Sequence, residues 1–128
     1  MQSDIHADAH PPRVEFPAIY NAAADLLGRH RAWGAKAAYI QGDNGQRLSY
    51  AQLEEQARRW ASALVADGFE PEQRVLLAMH DTLQWPVVFL GCIYAGVVPI
   101  AVNTLLTTPD FEYMLRDSRA KGLIVSAG

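Results

Sequence analysis

The chain has 128 residues, which suits a single domain, and half of them are hydrophobic, enough to build a core. Its 14 acidic and 11 basic residues leave a net charge of -3, with the basic ones scattered as Arg29/Arg31, Arg58/Arg59 and Arg116/Arg119/Lys121, so no nucleic-acid partner is expected. The lone Cys92 excludes a disulfide framework and points to a reducing, cytoplasmic compartment.

The opening "MQSDIHADAHPPRVEFP" lacks the apolar centre of a signal peptide and is too acidic for a transit peptide. Residues 1–17 are polar, proline-containing and without period, so they are expected to form a mobile N-terminal tail before an α/β domain over 18–128. Asp4, His6, Asp8 and His10 alternate within that tail. Metal ligands need a rigid frame, so the plain tail is the preferred reading. From Asn21, a suitable N-cap, the apolar pattern Ala22, Ala23, Leu26, Leu27 with His30 predicts a helix. His30 is expected to be packed or half-exposed rather than catalytic.

"KAAYIQ" and "QRLS" flank "GDNG", which predicts a small β-hairpin. Ser49 and Gln52 stand in capping-box relation at the start of the clearest helix. Tyr50, Leu53, Ala57, Trp60, Ala61 and Leu64 give it one apolar face, and Glu54/Arg58 and Glu55/Arg59 fall at i,i+4 on the other. Gly68 is placed to close it. Trp60 is read as core.

Strand and helix then alternate. Arg74–Met79 ("RVLLAM") reads as a strand buried on both faces. Asp81 or Thr82 is expected to cap a helix over about 83–95 that carries Pro86 in its first turns and stops at Gly96. The longest apolar stretch, 85–102, is broken by Pro86, Gly91, Gly96 and Pro99, whereas a membrane helix needs about 20 unbroken apolar residues. No membrane partner is therefore expected. "VVPIAV" is a second strand, which Pro99 assigns to an edge or an irregularity. Thr107 and Asp110 repeat the capping-box spacing before a helix with Phe111, Met114 and Leu115 on its apolar face, and "GLIVSA" is a third strand. The order β-α-β-α-β predicts a parallel sheet with right-handed crossovers.

Ligands of open α/β sheets collect beyond the C-terminal strand ends, here His80-Asp81-Thr82, Asn103-Thr104 and Ala127-Gly128. His80 beside Asp81 suits acid–base chemistry, but strand end and helix cap are the preferred roles. Asn103-Thr104 suits a ligand contact or, preferably, a tie within its own loop. The sequence has no G-x-x-x-x-G-K-[ST] loop, no G-x-G-x-x-G turn, no nucleophile elbow and no zinc spacing, and Cys92 has no evident base to activate it. No catalytic, cofactor-binding or metal-binding residue is therefore assigned.

"RLSYAQLEEQARRWASALVADGFEPEQRVLL" resembles the first signature region of the adenylate-forming (acyl-CoA synthetase) superfamily, a Ser/Thr-Tyr-x-x-Leu helix start before a glycine-ended helix and a strand. "FLGCIYAGVVPIAVNTLLTTPDFEYMLRDSRAKGLIVS" resembles the second, which runs through Ala-Gly-x-x-Pro. "FPAIYNAAADLL" and "VPIAVNTLLT" look most like benzoate- and other aryl-CoA ligases, whereas many relatives carry Asn-Pro at the position of Asn103-Thr104.

The resemblance covers about residues 16–128. It implies the N-terminal subdomain of an enzyme that joins an aromatic acid to ATP, with Mg²⁺, and passes the acyl group from the adenylate to coenzyme A. It also implies a fragment, since the family's phosphate loop, acyl pocket, nucleotide contacts and catalytic lysine have no matching position here. The fragment alone is expected to be inactive, to bind none of these cofactors, and to self-associate through an uncovered sheet. Tyr94 departs from the family, many of whose members have a basic residue there that meets the CoA nucleotide. Two other readings stay open: a non-catalytic module that docks on a full-length ligase, and a small nucleotide-binding α/β protein.

Overall fold

The computed structural model describes residues 2–127. The chain forms β1 (Asp4–His6), β2 (Arg13–Glu15), α1 (Ala22–Arg29), a 3₁₀ turn (Arg31–Trp33), β3 (Ala37–Ile40), β4 (Arg47–Ser49), α2 (Tyr50–Ala66), β5 (Arg74–Ala78), α3 (Gln84–Tyr94), β6 (Val98–Ala101), α4 (Thr108–Ser118) and β7 (Gly122–Val125). β1 and β2, and β3 and β4, are antiparallel pairs. The remaining strands form a parallel sheet in the order β6-β5-β7. This is the α/β arrangement expected from the alternation, with Pro99 on an edge strand as its missing N–H requires.

The local signals of α2 act as read. Ser49 Oγ accepts the Gln52 N–H at 3.2 Å, and Gln52 Oε1 accepts the Ser49 N–H at 2.9 Å. These bonds satisfy donors that the first helical turn leaves free. Gly68, at φ 85°, supplies the left-handed residue that ends the helix. The face bearing Leu53, Ala57, Ala61 and Leu64 is buried.

α3 is apolar nearly all round because it is wedged between two cores. On one side Val87 and Leu90 join Ala23, Leu27, Leu48, Leu53 and Ala57. On the other, Val88 and Cys92 join Leu64, Val75, Leu77, Met79 and Val97 beneath the sheet. α2 and α3 touch where Gly91 faces Ala57 and Trp60. A Cβ at Gly91 would lie 2.7 Å from Trp60 Cδ1 and 2.8 Å from the Ala57 carbonyl oxygen.

Both faces of β5 are covered, so Val75, Leu76 and Leu77 are fully buried. The outer strands are not: Val98, Leu123 and Val125 are exposed. The second crossover runs back across β5, so right-handedness puts α4 on the face opposite α3. No residue of α4 is fully buried, and Phe111, Met114 and Leu115 reach only half-burial. Asp110 holds the start of this helix, its carboxylate accepting the Thr107 N–H at 3.0 Å and hydroxyl at 2.6 Å.

Three expectations are corrected. Residues 2–17 contain regular structure, since β1 and β2 pair Ile5 with Val14, and Ser3 is buried. Met1 lies outside the described residues. The inward stripe of α1 is turned, so that Asp25 is buried and Leu26 exposed. The cause is a polar clamp: Asp25 accepts from Ser3 Oγ at 2.7 Å, the Ser3 N–H at 3.1 Å, Tyr20 Oη at 3.0 Å and Arg29 Nε at 2.6 Å. Finally, neither Asp81 nor Thr82 caps α3. Leu83 holds the N-cap position without a side-chain cap, and its N–H donates to Gln41 Oε1 at 3.1 Å.

Two outcomes follow from these contacts. Gly91→Ala forces α2 and α3 apart against backbone and an indole, and should cost about 1–3 kcal/mol, the usual range for overpacking, in chemical denaturation. The Arg29 guanidinium first, then the Ser3 and Tyr20 donors, hold the Asp25 carboxyl well below the usual range against the opposing effect of burial. A depressed carboxyl stabilises the fold fully above its unfolded value, about pH 4, and that contribution drains away as pH falls below it. Thermal melts should therefore show a steeper loss of stability below pH 4 in the parent chain than in Asp25→Asn.

Candidate functional site

The C-terminal ends of β5 and β6 open on a cavity of about 330 Å³ lined by His80, Asp81, Trp85, Asn103 and Thr104. A second, of about 280 Å³, lies between Tyr39–Gly42 of the hairpin and the start of α3, and it shares Asp81 and Trp85 with the first. The structure thus brings together two of the three strand ends singled out in the sequence. The third contributes Ser126, whose Oγ accepts the His80 N–H at 2.9 Å; Gly128 lies outside the described residues.

Two of the polar side chains here, Asn103 and Gln41, hold backbone in place. Asn103 Oδ1 accepts the Leu105 N–H at 2.9 Å, so Asn103 ties its own loop. The Thr82 N–H donates to the His80 carbonyl at 2.8 Å, a tight turn leading into α3. Gln41, from the hairpin, fixes the next residue through Leu83. No bond joins the His80 and Asp81 side chains among the described residues. Trp85 stacks on Phe89 at 4.8 Å and 13°, making a rigid aromatic wall.

The electrostatics of this edge are one-sided. Neither cavity is lined by a lysine or arginine, and both include Asp81. The two lysines lie elsewhere, Lys36 with its ammonium 4.8 Å over the Trp33 ring and Lys121 at the opposite end of the sheet, before β7. Such a crevice can hydrogen-bond and stack but cannot neutralise a polyphosphate. Burial pushes the Cys92 thiol up, away from the thiolate a nucleophile requires.

The remaining residues noted in the sequence make local contacts. His30 Nδ1 lies 2.6 Å from the Leu26 carbonyl, and its ring stacks on Tyr50 at 5.0 Å. His6 lies 3.7 Å from Glu15 across the β1–β2 ribbon, and no set of three metal-ligating side chains converges among the described residues. The Arg58 guanidinium sits 5.6 Å over the Tyr94 ring, so a cation stands beside this position although residue 94 itself is not basic. Sequence reasoning missed Gln41 as the residue that orients the 80–83 loop. No local signal marks it, because its partner is 42 residues away.

Residues 28–127 match the family described as AMP-binding enzyme. The chain is 45% identical over 119 residues to the benzoate–CoA ligase of Thauera aromatica, covering 91% of this chain and 22% of that protein. It is similar to the crystal structure of a benzoate CoA ligase from Burkholderia xenovorans LB400, with 50% identity and a TM-score of 0.81 over 85% of this chain and 22% of that one. It is also similar to the N-terminal domain of FACL13 from Mycobacterium tuberculosis, with 30% identity and a TM-score of 0.79 over 85% of this chain and 27% of that one. The chain spans about a fifth to a quarter of the length of these relatives.

Proposed function

Because the chain belongs to the AMP-binding enzyme family, we propose that it is an N-terminal part of an ATP-dependent aryl-CoA ligase, with benzoate or a close relative as the acid. In that reaction the carboxylate attacks ATP, pyrophosphate leaves, and the thiol of coenzyme A displaces AMP from the acyl-adenylate to give the thioester. The observation that carries this reading is the 45% identity over 91% of the chain to a benzoate–CoA ligase. The similarity in structure to a second benzoate CoA ligase, at 50% identity, supports it.

The two cavities at the strand ends do not themselves fit Mg-ATP. The cavities at the strand ends lack a cation and present Asp81, which repels a triphosphate. Their part in a ligase is to form the floor from which the reactive groups of a longer chain are hung. Among the described residues, no helix is long and apolar enough to cross a membrane. The cytoplasm is proposed as the place of work because the one cysteine, Cys92, is free and buried, which suits a reducing compartment. We also propose that the 128-residue chain alone self-associates, since exposed Leu105, Leu123 and Val125 leave apolar surface in water.

Incubated with benzoate, Mg-ATP and coenzyme A, the 128-residue chain should yield no benzoyl-CoA by liquid chromatography and mass spectrometry. The intact ligase isolated from the native cell and carrying these residues should form it, and should prefer benzoate to a long-chain fatty acid. Thioester formation by the short chain would overturn the assignment of floor without site. A preference for the fatty acid would overturn the aryl specificity.

A further inference from the structure

Between Gln2 and Tyr20 one residue, Ser3, is buried, and all six residues of β1 and β2 are exposed. The ribbon is held together by its own antiparallel pairing, by the Ala9 N–H on the His6 carbonyl at 3.2 Å, and by Arg13 beside Glu15 at 3.0 Å. Among the described residues, the hydrogen bonds between the ribbon and the rest of the chain converge on two side chains of α1, one turn apart. Asp25 accepts from the Ser3 N–H and hydroxyl, and the Arg29 guanidinium donates to the Ser3 carbonyl and, at 2.9 Å, to Ser3 Oγ. Tyr20, where the chain returns to the body, donates to the same carboxylate at 3.0 Å. Every group of this cluster lies within residues 3–29, and Ser3 and Asp25 are 7% and 3% exposed. The cluster is therefore complete in itself, whatever part of a longer ligase lies against the outer face of the ribbon.

We propose that the β1–β2 ribbon is a strap that opens as one unit from a body that stays folded, and that the Ser3–Asp25–Arg29 cluster is its latch. A ribbon of two three-residue strands is not stable by itself in water, so docking and ordering are coupled: when Ser3 leaves Asp25, the strands unpair. The body has no such dependence. α1 keeps its Asn21 cap, and Ala23 and Leu27 keep their places in the core shared with α2 and α3. Asp25 keeps Arg29 as its i,i+4 partner on the same helix. Neither hydrophobic cluster contains a residue of the ribbon, so opening takes no side chain out of the core. It breaks charge-assisted hydrogen bonds instead, and its cost is that of the latch rather than of global unfolding. In the closed state Gln2 stands over Gly28, its Nε2 3.6 Å from where a Cβ would lie. Opening therefore uncovers the surface of α1 around Asp25 and Gly28.

Arg13 is the first lysine or arginine of the chain and lies within β2; the next, Arg29, belongs to the latch. Trypsin should therefore cut after Arg13 at a rate set by the open population of the strap. In native buffer this cut should come first and leave residues 14–128 folded. Ser3→Ala removes the latch hydroxyl and leaves α1 untouched. It should speed the cut about tenfold to a hundredfold, the span expected for a hydrogen bond to a charged group. Hydrogen exchange of the α2 and α3 amides should stay unchanged in that variant. Gly91→Ala, which weakens the packing of the body, should leave the rate of the cut as it is. A cut no faster in Ser3→Ala than in the parent chain would overturn the latch. A cut that accelerates with Gly91→Ala, in step with exchange of the α3 amides, would show ribbon and body opening together and would overturn the strap. Neither result bears on the ligase reading or on self-association.

Discussion

The packing of α3 is the constraint on which the rest of the molecule depends. This helix has no polar face to give to water; it separates the hairpin core from the sheet core and belongs to both. Its approach to α2 is closest at Gly91, where the neighbouring backbone and the Trp60 ring leave no room for a Cβ. Side chains from far away in the sequence pin its two ends. Gln41 receives the Leu83 N–H at the start, and Asn21 Nδ2 donates to the Ile93 carbonyl at 2.7 Å at the end. Asn21 also caps α1 through the Ala24 N–H at 3.0 Å, so one residue joins two helices. The loop between β5 and α3, which carries His80 and Asp81, inherits its position from these anchors.

The strand-end crevice and the buried polar clamp use their charges differently. The crevice at the strand ends has hydrogen-bonding groups and an aromatic wall, but its charge is of the wrong sign for an anionic nucleotide. Buried Asp25, by contrast, spends its charge on structure: with Arg29, Ser3 and Tyr20 it fastens the β1–β2 ribbon to α1. The ribbon itself exposes Ile5, Val14 and Phe16, so this polar clamp holds what apolar burial does not.

Much of this was legible in order along the chain. Ser49/Gln52, Gly68, the turn "GDNG" and Asn21 act within a few residues of themselves, and each does in the structure what its chemistry predicts. The continuous apolar run of β5 reported burial on both faces, and Pro99 reported an edge. Legibility failed wherever the partner was distant. The apolar stripe of α1 gives no sign that Asp25 is buried, because Ser3 is 22 positions away, and Asp81 reads as a cap because nothing near α3 announces Gln41. The candidate site was legible only as a set of strand ends; which of their groups are free depended on bonds made across the fold.

The amino-acid order by itself determined the four α-helices, the caps of α1, α2 and α4, the β3–β4 hairpin, the parallel alternation and the family, because each rests on short-range sterics, on period, or on motifs read in sequence. Only the tertiary structure decided which face of α1 turns inward, what satisfies the first amide of α3, and what holds the β1–β2 ribbon to the body. Those outcomes are set by pairing of polar groups brought together from remote positions, and a local pattern carries no record of the group it will meet.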